Sequence, residues 1–361
     1  MDLANSTASA ASFDRPRAAS DLRATQISWR NYRISLTPLG NGKRRLLVEA
    51  LRNGAYVRRA TWDTAYSDEL VRRILNAKGA ASLCDEIMRD EDPTYLRPHL
   101  ELTVTAHIDP NELVGSDVLD FGCGAGSSTV ILAQLLAASR ITGVELRATN
   151  LEVARARAQF YNLSHAKFLL SPSGGRMPDG IGPFRAVVLS AVFEHLLPAE
   201  RATLLPSLWR LLAPGGVMLI DETPARWFPV ETHTTGLPFI NYLPDRLAEA
   251  YARRWSKRVR RNATWDEMRR DGIRGATVKE IVRLLPCDEG EPIVLEPRRL
   301  GVKGALDLWI RGYAAGGSGS GSGWRGTLKR SMAAPLKIAA SVVDGAALVP
   351  YLSVAIRKPV L

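Results

Sequence analysis

Between Asp117 and Glu222, short apolar runs alternate with longer stretches of helical spacing. DVLDFG, ITGVEL, AKFLLS, AVVLSAV and GVMLID read as buried strands. SSTVILAQLLAAS, LEVARARAQFYNL and RATLLPSLWRLLA carry apolar residues at helical intervals. Strands alternating with helices predict a parallel sheet covered on both faces.

The flanks follow other rhythms. From Ile27 to Val57, the runs ISWRNYRISL, RRLLVEAL and AYVRR are broken at Gly40-Asn41-Gly42 and Asn53-Gly54, which predicts a small β element. A helix is expected from Ser67 to Asn76, with Ser67 as N-cap, and another over 94–107. The division that results is a disordered tail at 1–24, an N-terminal β/helix element at 25–89, a core at 90–222, an insertion at 223–285 and closing strands at 286–361. The insertion opens with a proline- and aromatic-rich stretch and continues into basic helices, and reads as a lid over an acceptor pocket. EPIVLEP and YLSVAIRKP are the closing strands, and GGSGSGSG at 316–323 is a flexible linker by composition.

Composition narrows the class. With 46% hydrophobic and 24% charged residues, the 361-residue chain is neither disordered, collagen-like nor coiled coil. Its net charge of +11 favours acidic partners. Three scattered cysteines indicate neither a disulfide framework nor a cysteine zinc site. No apolar run reaches a membrane span, and the small, polar N-terminus lacks a secretory pattern. The expected location is the cytoplasm, with peripheral contact to an anionic inner membrane as the alternative.

The most specific feature is VLDFGCGAG, residues 118–126. A strand runs into Gly122, Gly124 and Gly126 and a helix starts at once, so free backbone N–H groups face a ligand. Ser127 breaks the dinucleotide pattern GxGxxG, which argues against a nicotinamide oxidoreductase. Glu145 ends the next strand, where a carboxylate accepts from a ribose diol.

With GVEL, AVVLSAVFEHL and LLAPGGVMLIDE following LDFGCGAG in this order, residues 115–222 resemble the class I S-adenosylmethionine-dependent methyltransferases of the type 11/12-like group, with a tail strand at 351–358. The resemblance implies a Rossmann-like α/β fold: a seven-stranded, mostly parallel sheet with one antiparallel strand and helices on both faces. It implies S-adenosyl-L-methionine as cofactor. Asp120, Gly122, Cys123, Gly124 and Gly126 would surround the methionine part, Glu145 the ribose hydroxyls, and Ser190 would line the site. Two departures stand out. Ser173 occupies the place of an adenine-reading aspartate, and Phe184-Arg185 replaces Phe-Asp before the fourth strand.

Transfer to a hydroxyl needs a group that takes its proton. Glu194 and His195, in FEHLLP after the fourth strand, and His233, after the fifth, are the catalytic candidates. Glu231, Asn241 and Glu222 are candidate acceptor contacts. His99, His107 and His165 read as surface or packing residues. Some ubiquinone-pathway O-methyltransferases bind a metal through Glu-x-x-Glu-His. Ala191 replaces the first glutamate here, so no metal is expected.

Residues 246–274 hold ten arginines and lysines against four acidic residues, which raises nucleic acid as acceptor. The Asn/Asp-Pro-Pro-aromatic motif of base methyltransferases is missing after the fourth strand, which disfavours it. The expected function is methylation of a small-molecule or glycan hydroxyl, the glycan lipid-linked in one version. A nucleic-acid methyltransferase and an eroded, catalytically silent binding module are the alternatives. Nothing in the sequence indicates an oligomeric state.

Overall fold

The computed structural model describes residues 23–52, 56–315 and 349–360. The linker at 316–323 and nearly all of the expected N-terminal tail lie outside the described residues.

Four strands, β1 (Thr25–Trp29), β2 (Tyr32–Pro38), β3 (Arg44–Ala50) and β4 (Thr61–Thr64), form an antiparallel sheet in chain order. AYVRR was expected to contribute a strand. The pairing starts beyond it instead, with Thr61 opposite Leu47. Helices α1 (Asp68–Lys78) and α2 (Leu83–Glu91) pack on this sheet. The Ser67 side chain accepts from the Leu70 N–H, as its N-cap position predicts. α2 was not foreseen, although Leu83, Cys84, Ile87 and Met88 make a buried stripe.

After α3 (Arg97–His107) comes the alternating core: β5 (Asp117–Phe121), α4 (Ser127–Leu135), β6 (Arg140–Glu145), α5 (Ala148–Phe160), β7 (Ala166–Leu170), β8 (Phe184–Ser190), α6 (Pro198–Arg210) and β9 (Leu212–Pro224). The insertion adds α7 (Asp245–Trp255), α8 (Trp265–Arg270) and α9 (Val278–Arg283). The chain returns through β10 (Ile293–Leu295), α10 (Ala305–Ala315) and β11 (Tyr351–Arg357). The large sheet runs β10-β11-β9-β8-β5-β6-β7. β5 pairs in parallel with β6 and β8, and β9 continues in parallel from β8. β11 is antiparallel to both neighbours, which makes it the single reversed strand of the seven.

Strand alternation divides the core between two faces. Leu119, Val187, Leu189, Met218 and Ile220 pack with Leu205, Leu208 and Trp209 of α6. Val118, Ala186, Val188, Val217 and Leu219 pack with Val130 of α4 and Ala154 and Ala158 of α5.

The small sheet is joined to the core by a buried cation. Arg157 of α5 is fully buried. Its guanidinium donates to the Ala125 carbonyl at 2.8 Å and the Ser127 hydroxyl at 2.7 Å, both beside the glycine loop. It also donates to the Glu86 carboxylate at 3.2 Å and the Glu86 carbonyl at 2.6 Å, and lies 3.4 Å from Asp90. Tyr66 completes the joint, packed edge-on to Phe160 at 4.9 Å. Arg157→Met leaves two buried carboxylates without their cation and is expected to cost about 3–5 kcal/mol, read from guanidinium denaturation. A loss under about 1 kcal/mol would show that the joint does not depend on this charge.

Candidate active site

Parallel sheets of this kind hold ligands beyond the carboxyl ends of their strands. At the end of β5, Asp120 is buried and accepts from Ser128 at 2.7 Å and Thr129 at 2.6 Å, tying the strand end to the first turn of α4. Burial lifts its carboxyl to about 6, against the pull of those hydroxyls. Gly126 precedes α4 at φ +87°, and a Cβ there would lie 2.6 Å from the Ala154 Cβ. The close approach of α5 therefore requires glycine. Burial holds the Cys123 thiol well above its ordinary value, so it is no nucleophile.

Glu145, at the end of β6, accepts from the Gly124 N–H at 3.0 Å through Oε2 and from the Arg147 N–H at 2.9 Å through Oε1. Each oxygen keeps a lone pair, which fits a diol's two hydroxyls. Ser173 lies in an exposed turn bridged to Arg176, its carbonyl accepting from Ser171 at 2.9 Å.

The ends of β8 and β9 lie side by side, with Ser190 opposite Asp221. The chain then turns through Ala191, at φ +54°, and Val192 packs against Gly122, which brings this segment against the glycine loop. The short helical turn Phe193–His195 follows. Glu194 is fully buried, and its Oε2 accepts from Thr223 at 3.2 Å. Its Oε1 has no hydrogen-bond partner among the described residues. Burial raises this carboxyl to about 8. The His195 Nδ1 lies 2.6 Å from the Arg270 carbonyl. A carbonyl only accepts, so Nδ1 carries the proton and Nε2 keeps its lone pair, 3.7 Å from Glu194 Oε1.

His233 joins this pair from the loop after β9, with ring centroids 5.6 Å apart from His195. Burial lowers its pKa, and nearby His195 adds to the effect. The loop itself is organised by Glu231. Expected at the acceptor, Glu231 is instead buried, and its two oxygens accept from the N–H groups of His233, Thr234 and Thr235 and the Thr235 hydroxyl. Its role here is to hold the loop that carries His233. Asn241 is also buried, in the turn Ile240–Tyr242; Arg274 takes its backbone carbonyl at 2.7 Å, and its Oδ1 is unpartnered among the described residues.

His99 was expected to be a surface or packing residue. It reaches from α3 to the fully buried Asp221 at 2.9 Å and lies 3.9 Å from Glu222, which is half-buried at φ +57°. No local pattern announces this pair, because its partners are far apart in the chain. The basic stretch after β9 behaves differently from its composition. Arg253, Arg260, Arg269 and Arg270 form ion pairs with Glu249, Glu267, Asp245 and Glu200. Arg258 and Arg274 are bound to backbone carbonyls, Arg274 also to Asp245.

Residues 118–216 match the family described as a methyltransferase domain. A trans-aconitate 2-methyltransferase from Paracidovorax citrulli is 35% identical over 117 residues, covering 32% of this chain and 41% of that protein. A ribosomal protein L11 methyltransferase from Pseudomonas aeruginosa is 34% identical over 114 residues, covering 32% of this chain and 36% of that protein. The chain thus spans less than half the length of these curated relatives. A solved S-adenosylmethionine-dependent methyltransferase from Clostridium acetobutylicum aligns over 38% of this chain and 55% of its own, at 16% identity and TM-score 0.34.

The His99–Asp221 pair makes a prediction about pH. Burial pulls the imidazole pKa down, but Asp221 outweighs it and lifts the value to about 9 from 6.5. A raised folded-state pKa contributes stability that is fully present below the unfolded value and is lost as pH rises through the folded one. The wild type should therefore lose stability between about pH 6.5 and about pH 9 to a greater extent than His99→Gln. Parallel curves of denaturation midpoint against pH for the two proteins would mean that His99 is uncharged at neutral pH.

Proposed function

With residues 118–216 forming a class I S-adenosylmethionine-dependent methyltransferase domain, we propose that the whole chain methylates a hydroxyl of a small molecule or glycan. S-adenosylmethionine supplies an activated sulfonium methyl when bound. The residues at the carboxyl ends of β5 and β6 fit such a cofactor. The Glu145 oxygens keep lone pairs for a ribose diol, and the glycine loop leaves its backbone open to the amino-acid end.

The observation that carries the reading is the contact between two chemistries at one sheet edge. Val192 lies against Gly122, and three residues on from Ala191 begins the Glu194, His195 and His233 cluster. A cofactor cradle therefore adjoins a group able to take a proton. The His195 Nε2 lone pair is oriented by the bond from Nδ1 to the Arg270 carbonyl. An acceptor hydroxyl gives up its proton there as the new C–O bond forms. Held by the glycine loop and Glu145, the cofactor would supply the methyl, with its sulfur as the leaving group. An amine acceptor has less need of such a base. Exposed Trp227 and Phe239, each packed against Tyr242, support an apolar or sugar-bearing acceptor or a peripheral membrane contact.

Nucleic acid has weaker support. Six arginines of the basic stretch are bound within the fold, which removes much of the positive face that a phosphate backbone needs. Among the described residues no helix is long and apolar enough to cross a membrane.

Calorimetric titration with S-adenosylmethionine and S-adenosylhomocysteine, with NADH as control, tests the cofactor assignment. Glu145→Ala removes two charge-assisted hydrogen bonds at roughly 1.5–3 kcal/mol each, so affinity should fall about a hundredfold or more. Folded wild-type protein that binds neither ligand would leave the eroded binding module as the reading. His233→Ala should slow methyl transfer to hydroxyl acceptors and leave cofactor affinity unchanged. Equal turnover in the variant would reduce His233 to a structural residue.

A further inference from the structure

Glu194, His195 and His233 each offer one ligand atom, and the three atoms lie within 4.8 Å of one another. We propose that they form a binding site for a divalent transition cation of the zinc class, with one coordination position left for the acceptor's oxygen. This inference rests on the reading of the cluster as the acceptor end of the site; with the cation bound, the His195 Nε2 lone pair is a ligand, and the lowered pKa of the coordinated hydroxyl takes the place of that base.

Four observations support it. The first is the donor set, two imidazoles and one carboxylate, which suits zinc and its first-row neighbours. The second is spacing. Metal–ligand bonds of about 2.0–2.2 Å at tetrahedral angles place ligand atoms roughly 3.4 Å apart. His195 Nε2 and Glu194 Oε1 stand at 3.7 Å, close to that separation, and with His233 the three atoms stay within 4.8 Å, so the ligands draw together around an ion. The third is the orphaned oxygen. Glu194 is fully buried, Thr223 holds its Oε2, and its Oε1 points at the histidines with no hydrogen-bond partner among the described residues. A buried carboxylate oxygen without a donor is costly, and a cation removes that cost. The fourth is the surrounding support. The bond from His195 Nδ1 to the Arg270 carbonyl leaves Nε2 as the ligand atom, which is the way metal-binding histidines are commonly oriented. Gly272, at φ +95°, packs so closely that a Cβ would lie 2.8 Å from His233 Cδ2 and 3.2 Å from Glu194 Cγ. The backbone therefore confines two of the three ligands from one side.

Local sequence could not reveal this set. Ala191 leaves the run before His195 one carboxylate short, and the third ligand comes instead from the far side of β9. The side chain of His195 is 43% exposed, which leaves the site open on the side from which an acceptor enters.

The test is a titration of the metal-free, untagged full chain with Co²⁺ alone, followed by the d–d absorption of a low-coordinate nitrogen and oxygen site, and by competition with Zn²⁺. One equivalent should bind to the wild type and to His165→Ala, a histidine outside the cluster. His233→Ala and His195→Ala should each weaken binding by at least about tenfold. Glu194→Gln keeps the side chain's shape and a bond to Thr223, and should weaken binding while circular dichroism shows an intact fold. A wild type that takes up no Co²⁺ or Zn²⁺, or binding that survives both histidine substitutions, would overturn the site. No cofactor is present in this titration. Loss of metal binding with intact S-adenosylmethionine affinity therefore refutes this inference alone, and the converse refutes only the methyltransferase reading.

Discussion

The glycine loop has almost no side chains with which to hold itself in place, and the interaction that holds it is the buried guanidinium of Arg157. From behind the loop it takes the Ala125 carbonyl and the Ser127 hydroxyl, and on its other side it meets Glu86 and Asp90 of α2. An arginine with no exposed surface must find carboxylates, and these come from the N-terminal element. The small sheet and its helices are thus the counter-charge of the ligand loop. Buried ion pairs contribute little net stability compared with apolar packing, but their geometric demands are strict. Here those demands fix one placement of the loop relative to α5, and through Gly126 they fix the closeness of that helix as well.

The two ends of the site are built on different principles. The proposed cofactor end is made of main chain and strand ends, so its shape follows from the sheet. The proposed acceptor end is assembled from the turn after β8, the Glu231-organised loop after β9, the Arg270–Gly272 segment and the start of β11, where Tyr351 meets the His233 ring at 6.2 Å. Loops held on a rigid frame in this way can change specificity while the sheet and glycine loop stay as they are. The curated relatives, which match about a third of this chain, bear names with acceptors as different as a small acid and a ribosomal protein.

The alternating core was legible in the sequence because its signals are local. DVLDFG, ITGVEL, AVVLSAV and GVMLID are short apolar runs bounded by polar residues, and the glycine spacing sits directly between a strand and a helix. The N-cap at Ser67 was legible for the same reason. Glu194, His195 and His233 could be named one at a time, but not their meeting, which depends on how β8 and β9 align. His99 could not be separated from an ordinary surface histidine, since Asp221 lies 122 residues away in the chain. Charge was the least transferable signal: ten basic residues within 29 imply an open positive face, whereas six of them are paired with the fold's own carboxylates and carbonyls. AYVRR had the right residue types for a strand, but its described residues, 56–59, lie outside the ladder, which begins at Thr61.

The position of β11 carries a consequence for how the protein comes into being. This strand enters between β9 and β10 from residues 351–357, long after the rest of the sheet has been synthesised. Until it arrives, the edge of β9 is bare and Ile293–Leu295 has nothing to pair with. The strand that closes the sheet between β9 and β10 is therefore also the one that brings Tyr351 beside His233.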